Sequence, residues 1–446
     1  MDKTRNILLL TTIYPLPTKD NHGTPVCHYF AREWVKMGYG VRVVHFQAVF
    51  PQPLYWIARL NRKKIAAKTG AVVYTDRDKG AVYEQEGVKV NRIPLFKPIP
   101  HGGYSKRAIR KAVEKIVAWN GEAGFVPDII VGHFPNPQIE VVGLLKETYT
   151  EAATAIVMHG DVELAKKVYG NRLLPLAQRI DIWGFRNKAV ERQFERGVMK
   201  AERSFICYSG IPEDYITTEN THRFDGKPTR YVYVGEMIER KYPVAVMDAL
   251  QEAYPEGDYA MTYVGAGQLL NDIRSRVEAE GLQQKVQALG KIPRDDIKGQ
   301  YDKADVMVMI SRGEAYGLVY LEAMARGCIT IASRNEGFDG VIVDGVNGFL
   351  CKAGDAHELA QTMRRIEAMS RDEKAAISER AIQTAKGLTD FKAAKLYIED
   401  MNKLIENTQV IMNQRITPPQ TGIAKLWGFN AFRRESECLT GSLMAA

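Results

Sequence analysis

Short apolar runs alternate with helical patterns through the first half of the chain. The runs at residues 7–10 and 41–46 flank a segment in which Val26, Phe30 and Trp34 recur at helical spacing, which predicts a strand, a helix and a second strand. Further strands are predicted at residues 128–131, 155–158 and 204–208. Because strands that alternate with helices favour a parallel sheet covered on both faces, this half is predicted to be an α/β domain.

The second half repeats this alternation after a polar stretch at residues 212–228. Its short apolar runs lie at 231–234, 259–264, 286–289, 306–310 and 328–332, and each is followed by a turn or a helical pattern. From residue 355 to 406 the pattern is helical. The sequence therefore predicts a second doubly wound α/β domain, which a polar linker joins to the first.

Composition favours a globular enzyme without disulfide bonds. The chain has 446 residues, of which 45% are hydrophobic, and its five cysteines are scattered and never stand in CxxC spacing. No apolar run approaches the roughly 20 residues that span a bilayer, and the run at 7–10 is far shorter than the core of a secretory signal. The protein is therefore expected in the cytoplasm.

Charge is divided unevenly between the two halves. Residues 1–200 hold 31 Lys and Arg against 18 Asp and Glu, and the whole chain has a net charge of +8. Two basic amphipathic stretches, residues 55–68 and 105–119, lie in this half. Such helices bind anionic membranes, so an anionic membrane surface and a phosphate-bearing acceptor are both open as partners. Nucleic acid is not expected, because no recognition motif accompanies the charge.

The stretch from Ser311 to Gly327 carries the most informative chemistry. It leaves a predicted strand and enters a predicted helix, with Glu314 in the loop, Gly317 at the helix start and Glu322 in the helix. The free N–H groups of a helix start suit a diphosphate, and carboxylates accept hydrogen bonds from sugar hydroxyls. Two glutamates at this spacing also occur on ordinary surface helices, so the pattern alone leaves both interpretations open.

This stretch resembles the signature of the retaining glycosyltransferases of family four, or glycosyl transferases group 1, of the kind that builds polysaccharides. The resemblance extends to Gly235 and to residues 264–267 and 344–348. It implies the GT-B fold, in which two Rossmann-like doubly wound domains face a central cleft. Residues 1–210 would then bind the acceptor, 211–229 would form the linker, 230–406 would bind the nucleotide sugar, and the tail 407–446 would pack back on the first domain.

The resemblance implies roles for the residues of this motif. Glu322 would bind the ribose hydroxyls of the nucleotide, and Glu314 the hydroxyls of the donor sugar. Gly317, Leu318 and Val319 would supply backbone N–H groups to the donor.

A second set of donor contacts is implied around Gly235. Lys241 stands where the family places a lysine on the donor diphosphate, and it would neutralise the leaving group. The family usually has an arginine directly after this glycine, but here the residue is Glu236. A carboxylate cannot replace that cation, so Arg240 is the residue that we expect to take over the contact.

The first half contributes further candidates. His159 and Asp161 follow a predicted strand, and the resemblance implies that His159 bonds the sugar while Asp161 positions the acceptor. Gly23 would let the backbone approach the donor closely. His133 ends another strand in the same way, and both a structural and a functional role are open for it.

The implied reaction transfers a sugar from a nucleoside diphosphate sugar, UDP-sugar by family frequency, to a hydroxyl of a saccharide or lipid-linked acceptor, with retention at the anomeric carbon. No cofactor or metal is expected. A sugar-nucleotide epimerase of the same architecture and a non-catalytic sugar-nucleotide-binding protein are the alternatives. An oxidoreductase is disfavoured, because Leu270 stands where a dinucleotide fingerprint after Gly265 and Gly267 needs its third glycine.

Overall fold

Two sheets organise the chain in its computed structural model, which describes residues 5–16, 25–69, 75–100, 102–160, 162–222, 224 and 226–416. The first sheet has the order β3-β4-β2-β1-β5-β6-β7-β8, and its neighbouring strands are parallel except for the antiparallel pair β3 and β4. Its strands are β1 (Asn6–Thr11), β2 (Gly40–Val49), β3 (Ala81–Gln85), β4 (Val88–Phe96), β5 (Ile129–His133), β6 (Ala153–Met158), β7 (Ile182–Phe185) and β8 (Ser204–Ile206).

The second sheet is parallel throughout and has the order β11-β10-β9-β12-β13-β14. Its strands are β9 (Thr229–Val234), β10 (Tyr259–Val264), β11 (Val286–Gly290), β12 (Val306–Val308), β13 (Ile329–Ser333) and β14 (Phe349–Cys351). Numbered within the sheet, this is the Rossmann order 3-2-1-4-5-6, and the first sheet has the same order around β1. Both predicted domains are therefore confirmed as Rossmann-like.

Helices connect the strands on both halves. Those of the first half are α1 (Val26–Lys36), α2 (Gln52–Thr69), α3 (Lys106–Glu122), α4 (Pro135–Thr148), α5 (Val162–Tyr169), α6 (Leu173–Ala177) and α7 (Lys188–Gly197). Those of the second half are α8 (Pro243–Ala253), α9 (Leu270–Ala279), α10 (Arg294–Lys303), α11 (Leu318–Ala325), α12 (Ala356–Glu367), α13 (Arg371–Lys386) and α14 (Asp390–Ile416). We call β1–β8 with α1–α7 the N-terminal lobe, and β9–β14 with α8–α13 the C-terminal lobe.

Each lobe has its own hydrophobic core. In the N-terminal lobe Leu8 and Ile130 are fully buried beside Ile116, which belongs to the apolar face of α3. In the C-terminal lobe the core includes the central strands β9 and β12 and helix α11. Strands buried on both faces read as continuous apolar runs, which is why the predicted runs correspond to β1, β2, β5, β6, β8 and β9–β13.

Four strands have no counterpart in the predicted pattern. β3 lies at the edge of its sheet and is largely exposed, so its sequence lacks an apolar run. In the turn between β3 and β4, Glu86 and Gly87 both have positive φ (48° and 79°), as a tight two-residue hairpin requires. The apolar run of β7 is interrupted by Gly184 and that of β14 has only three residues, whereas the apolar runs at β8 and β12 continue beyond these equally short strands.

The chain passes between the lobes at residue 211 and returns at residue 389, where Ile211 pairs with Thr389. The part of helix α14 before residue 405 then lies against the N-terminal lobe: the indole of Trp34 donates to the carbonyl of Ala394 at 2.9 Å. The ring of Tyr397 lies 5.0 Å from those of Trp34 and Phe205. The domain limits given above stay predictions.

Residues 1–404 form one compact unit and residues 405–446 a second. In the second unit, the structure describes residues 405–416 as the end of α14, and the predicted packing of the tail concerns residues that otherwise lie outside the described range. Across the described part of the chain, no helix combines the length and the apolar character that crossing a bilayer requires.

Candidate functional site

A cavity of about 380 Å³, which we call the cleft cavity, opens between the two lobes. From the N-terminal lobe its wall takes Ile13, Phe134, His159, Arg186 and Ser209, which follow β1, β5, β6, β7 and β8. From the C-terminal lobe it takes Lys241, after β9, and residues 314–319, after β12. In doubly wound sheets the carboxyl ends of the strands beside the switch in strand order form the ligand site. The carboxyl-end edges of both sheets therefore face the same cavity.

The start of α11 forms one wall of the cleft cavity. Gly317 precedes the helix with φ 89°, and a Cβ atom there would lie 2.4 Å from the ring of Tyr320. Glycine is therefore required both by the left-handed backbone and by the lack of space. Leu318 and Val319 occupy the first two helical positions and line the cavity, and N–H groups at these positions have no partner inside the helix. This end of α11 is suited to an anion.

Two cations approach the carboxylate of Glu314 from the loop after β9. Nζ of Lys241 lies 3.3 Å and a guanidinium nitrogen of Arg240 lies 3.6 Å from Oε2 of Glu314. The adjacent residues 240 and 241 thus reach the same oxygen from one short 3₁₀ turn (Glu239–Lys241). Oε2 is buried and receives no aligned hydrogen bond within the described chain, so these two cations are its electrostatic partners there.

The glycines quoted for the family resemblance pack two loops of the C-terminal lobe against each other. A Cβ at Gly265 would lie 1.9 Å from the carbonyl oxygen of Gly235, and the N–H of Gly235 donates to Val264 at 3.0 Å. A Cβ at Gly235 would lie 3.7 Å from Cδ of Lys241. These glycines therefore keep the loop that carries Lys241 close to its neighbour.

His159 stands at the end of β6, where the sequence placed it. Its Nε2 lies 3.0 Å from Nδ1 of His133, and its ring stacks on Phe134 at 4.0 Å between centroids. Burial, with smaller contributions from Arg186 and His133, holds the pKa of His159 well below its usual value. Burial likewise lowers the pKa of His133 to about 3. Both rings are neutral at physiological pH, so each has one N–H to donate.

Arg186 is a residue that the sequence did not single out. It is 3% exposed and lines the cleft cavity, and its guanidinium donates to the carbonyl of Cys207 at 2.7 Å and to the hydroxyl of Ser209 at 2.5 Å. It also faces the ring of Tyr316 at 4.6 Å, across the boundary between the lobes. The sequence offered no signal for it, because β7, the strand that Arg186 follows, was not among the predicted strands.

Glu322 is separated from the other motif residues. Its carboxylate lies 3.5 Å from a guanidinium nitrogen of Arg294 and accepts from Tyr301 at 3.4 Å, and it does not line the cleft cavity. Burial raises its pKa, and Arg294 opposes that effect. The structure thus brings Glu314, Lys241, Arg240 and the start of α11 together, with Glu322 one turn further along the helix.

Two predicted site residues, Gly23 and Asp161, lie outside the described residues. Glu236 is exposed, and its carbonyl accepts from the hydroxyl of Tyr233 at 3.0 Å. It does not line the cleft cavity. The departure from the family pattern at this position therefore adds no carboxylate to the cavity wall.

Comparison with known proteins gives consistent relatives. Residues 215–384 match the family model "Glycosyl transferases group 1". An uncharacterized glycosyltransferase of Methanocaldococcus jannaschii is 24% identical over 237 residues, which are 52% of this chain and 64% of that protein, slightly less than two thirds of its length. The amylovoran biosynthesis glycosyltransferase AmsK of Erwinia amylovora is 24% identical over 359 residues, which are 75% of this chain and 84% of that protein.

Solved structures agree on the fold. The crystal structure of HepE from Anabaena, in complex with UDP, superposes with a TM-score of 0.62 at 16% identity, covering 90% of this chain and 100% of that one. At this identity the likeness concerns the fold alone. It confirms the predicted GT-B arrangement of two Rossmann-like domains.

Proposed function

Since this chain belongs to the group 1 glycosyltransferases, we propose that it transfers a sugar from a nucleoside diphosphate sugar to a hydroxyl of a saccharide or lipid-linked acceptor, with retention at the anomeric carbon. One observation carries the proposal. Lys241, Glu314 and the start of α11 line a single cavity between the lobes, and Arg240 lies beside the same carboxylate of Glu314.

We assign the donor diphosphate to Lys241 and to the N–H groups at the start of α11. A diphosphate needs cations and N–H donors, and both face the cleft cavity from the C-terminal lobe. Arg240 supplies the second cation that the family has after Gly235, because it reaches the same carboxylate as Lys241. When the donor binds, its phosphate oxygens would replace Glu314 as the partner of these cations.

Glu314 and His159 would orient the donor sugar. Oε2 of Glu314 lacks an aligned hydrogen bond, and once the donor phosphate replaces it as the partner of Lys241 and Arg240, a sugar hydroxyl would donate to it. The neutral imidazole of His159 lies on the opposite lobe of the same cavity. Hydrogen bonds from both lobes would fix the sugar with its anomeric carbon toward the acceptor.

The proposed step breaks the bond between the anomeric carbon and the diphosphate oxygen while the acceptor hydroxyl adds to the same face of the sugar. The acceptor proton passes to the departing phosphate oxygen. Negative charge grows on the leaving diphosphate, where Lys241, Arg240 and the N–H groups of Leu318 and Val319 would stabilise it. The required contribution from the protein is therefore electrostatic and positional, with no cofactor or metal in the step.

UDP is the nucleotide that we favour, and cell-surface polysaccharide synthesis is the setting. HepE, of similar fold, was solved with UDP and with UDP-glucose, and AmsK is named for amylovoran biosynthesis. Glu322 remains our proposed ribose ligand, although the ribose hydroxyls would have to compete with Arg294 for its carboxylate. We place the enzyme in the cytoplasm, at the inner face of the membrane.

A panel of nucleotides and nucleotide sugars tests the donor assignment by thermal shift, since a ligand that binds the folded chain raises its unfolding temperature. We expect UDP or a UDP-sugar to give the largest shift. Glu314→Gln should keep most of that shift and lose about 10² in turnover, because it removes a contact to the reacting sugar. The exposed Glu252→Gln, with the same change in charge, is the control.

The stereochemistry is then read from the product by NMR of its anomeric proton. Inversion would exclude the retaining step, and turnover of the donor to an epimer without acceptor would exclude the transferase assignment. No shift with any nucleotide would remove the donor site itself.

A further inference from the structure

A second cavity, of about 520 Å³, adjoins the cleft cavity. Glu314 and Ala315 line both cavities, so the two meet at the carboxylate that we assign to the donor sugar. The remaining wall comes from Gly160, Asn187 and α7 of the N-terminal lobe, and from the loops after β12 and β13 of the C-terminal lobe. Its volume is typical of small-molecule sites.

Three guanidinium groups line this second cavity, which we call the arginine cavity. Arg192 and Arg196 come from α7, one turn apart, and Arg312 comes from the loop after β12. Glu314 and Glu336 are the carboxylates in the same wall. Because the charge of Glu314 is already balanced by Lys241 and Arg240, the arginine cavity has a surplus of positive charge.

None of the three guanidinium groups has an ion pair with another described residue. Arg192 donates to the side-chain oxygen of Asn335 at 3.1 Å, and Arg196 donates to the backbone oxygen of Arg192 at 3.2 Å. Arg312 faces the ring of Tyr242 at 5.6 Å. By contrast, Lys188 on the same helix lies 2.6 Å from Glu191. The unused donors of the arginines are therefore available to a ligand.

We propose that the arginine cavity binds a phosphate or diphosphate group of the acceptor. The inference rests on the proposed transferase function, and it adds the chemical class of the acceptor. Guanidinium groups match phosphate oxygens in pairs, and three of them supply more donors than a single carboxylate can use. An acceptor held here by its phosphate would present a neighbouring hydroxyl at Glu314, beside the donor sugar.

Isothermal titration of the full chain, first saturated with UDP, tests this site without turnover. UDP occupies the donor diphosphate site, so inorganic pyrophosphate and glucose 1-phosphate then report on the arginine cavity. We expect both probes to bind the wild-type chain, and at least tenfold more weakly after Arg192→Gln combined with Arg196→Gln. Lys188→Gln, on the same helix and already paired, should bind them like the wild type. Farnesyl diphosphate is the third probe. If the chain binds it more tightly than pyrophosphate, the phosphate belongs to a lipid-linked acceptor.

Several results would overturn the inference. If the wild-type chain binds UDP but neither pyrophosphate nor glucose 1-phosphate, the donor site exists and the proposed acceptor phosphate site does not. Equal affinity in the double variant and in Lys188→Gln would place the phosphate elsewhere, and stronger binding of glucuronate than of glucose 1-phosphate would make the ligand a carboxylate. Failure to bind UDP at all is a different result, because it contradicts the donor site on which the inference rests. The unfolding temperature of each variant verifies that it is folded.

Discussion

Nδ1 of His133 and Nε2 of His159 lie 3.0 Å apart, so one imidazole must donate its proton to the other. The hydroxyl of Tyr397 lies 3.1 Å from Nε2 of His133 and has no second hydrogen-bond partner among the described residues. Its O–H therefore donates to His133, whose Nδ1–H then donates to His159. This order leaves the proton of His159 on its own Nδ1, where it can serve a ligand in the cleft cavity.

The low pKa of His133 predicts a loss of stability in acid. Between pH 6.5 and about 3 an unfolded histidine binds a proton, whereas the buried His133, beside His159 and Arg186, does not. Stability therefore falls as the pH drops through this window, with a slope that approaches about 1.4 kcal/mol per pH unit for this residue. His133→Gln should flatten the decrease in unfolding temperature between pH 7 and 4.5.

The matched control for that measurement is His357→Gln, since the side chain of His357 is 68% exposed. His45, whose pKa burial lowers to about 4, contributes an acid dependence that all three proteins share. An unchanged profile in His133→Gln would mean that His133 is protonated as easily in the folded chain as in the unfolded one.

Lys241 is expected to act on the leaving group. Lys241→Met removes a cation 3.3 Å from Glu314. Turnover should fall by about 10²–10³, because no other cation occupies the same position beside the diphosphate. Nucleotide affinity should fall as well. Steady-state rates and UDP titration measure the two effects, with the exposed Lys352→Gln as the control. Turnover within threefold of the wild type would exclude this role.

Gly317 is expected to be necessary for both stability and nucleotide binding. An alanine there must adopt φ 89°, which costs about 1–2 kcal/mol, and its Cβ must also displace the Tyr320 ring from 2.4 Å. Gly340→Ala isolates the first effect, because its φ is 100° and no atom lies within 4 Å of the added Cβ. Chemical denaturation should show a greater loss for Gly317→Ala, and UDP binding should weaken only in that variant. Equal losses in both would leave the backbone strain as the whole explanation.

The apolar face of α2 is expected to contribute to any membrane binding. Trp56, Ile57 and Leu60 are 57%, 51% and 84% exposed, and the helix belongs to the basic half of the chain. Flotation with anionic vesicles at low salt should recover wild-type protein and much less of Trp56→Ser combined with Leu60→Ser. Val126→Ser removes an equally exposed apolar side chain from another surface and should have no effect. Equal flotation of all three proteins would remove α2 as the contact.

Local sequence was sufficient for the parts of the site that lie within one loop. The stretch from Ser311 to Gly327 contains its own turn and helix start, so Gly317 could be placed at the start of α11, and the structure adds that its φ of 89° and the Tyr320 ring require glycine there. The end of β6 was equally predictable from its apolar run, so His159 could be placed at the edge of the sheet. The surroundings of Glu322 were harder to predict, because only the packing of α10 places Arg294 3.5 Å from its carboxylate.

The sequence by itself determined the two Rossmann-like sheets, since buried parallel strands and their helices have patterns that repeat within a few residues. Only the tertiary structure decided which side chains meet across the lobes. Tyr397 reaches His133 from 264 residues away, and Arg192 on α7 reaches Asn335 after β13. Such contacts depend on how separate elements pack, and no local pattern encodes the distance between residues that are far apart in the chain.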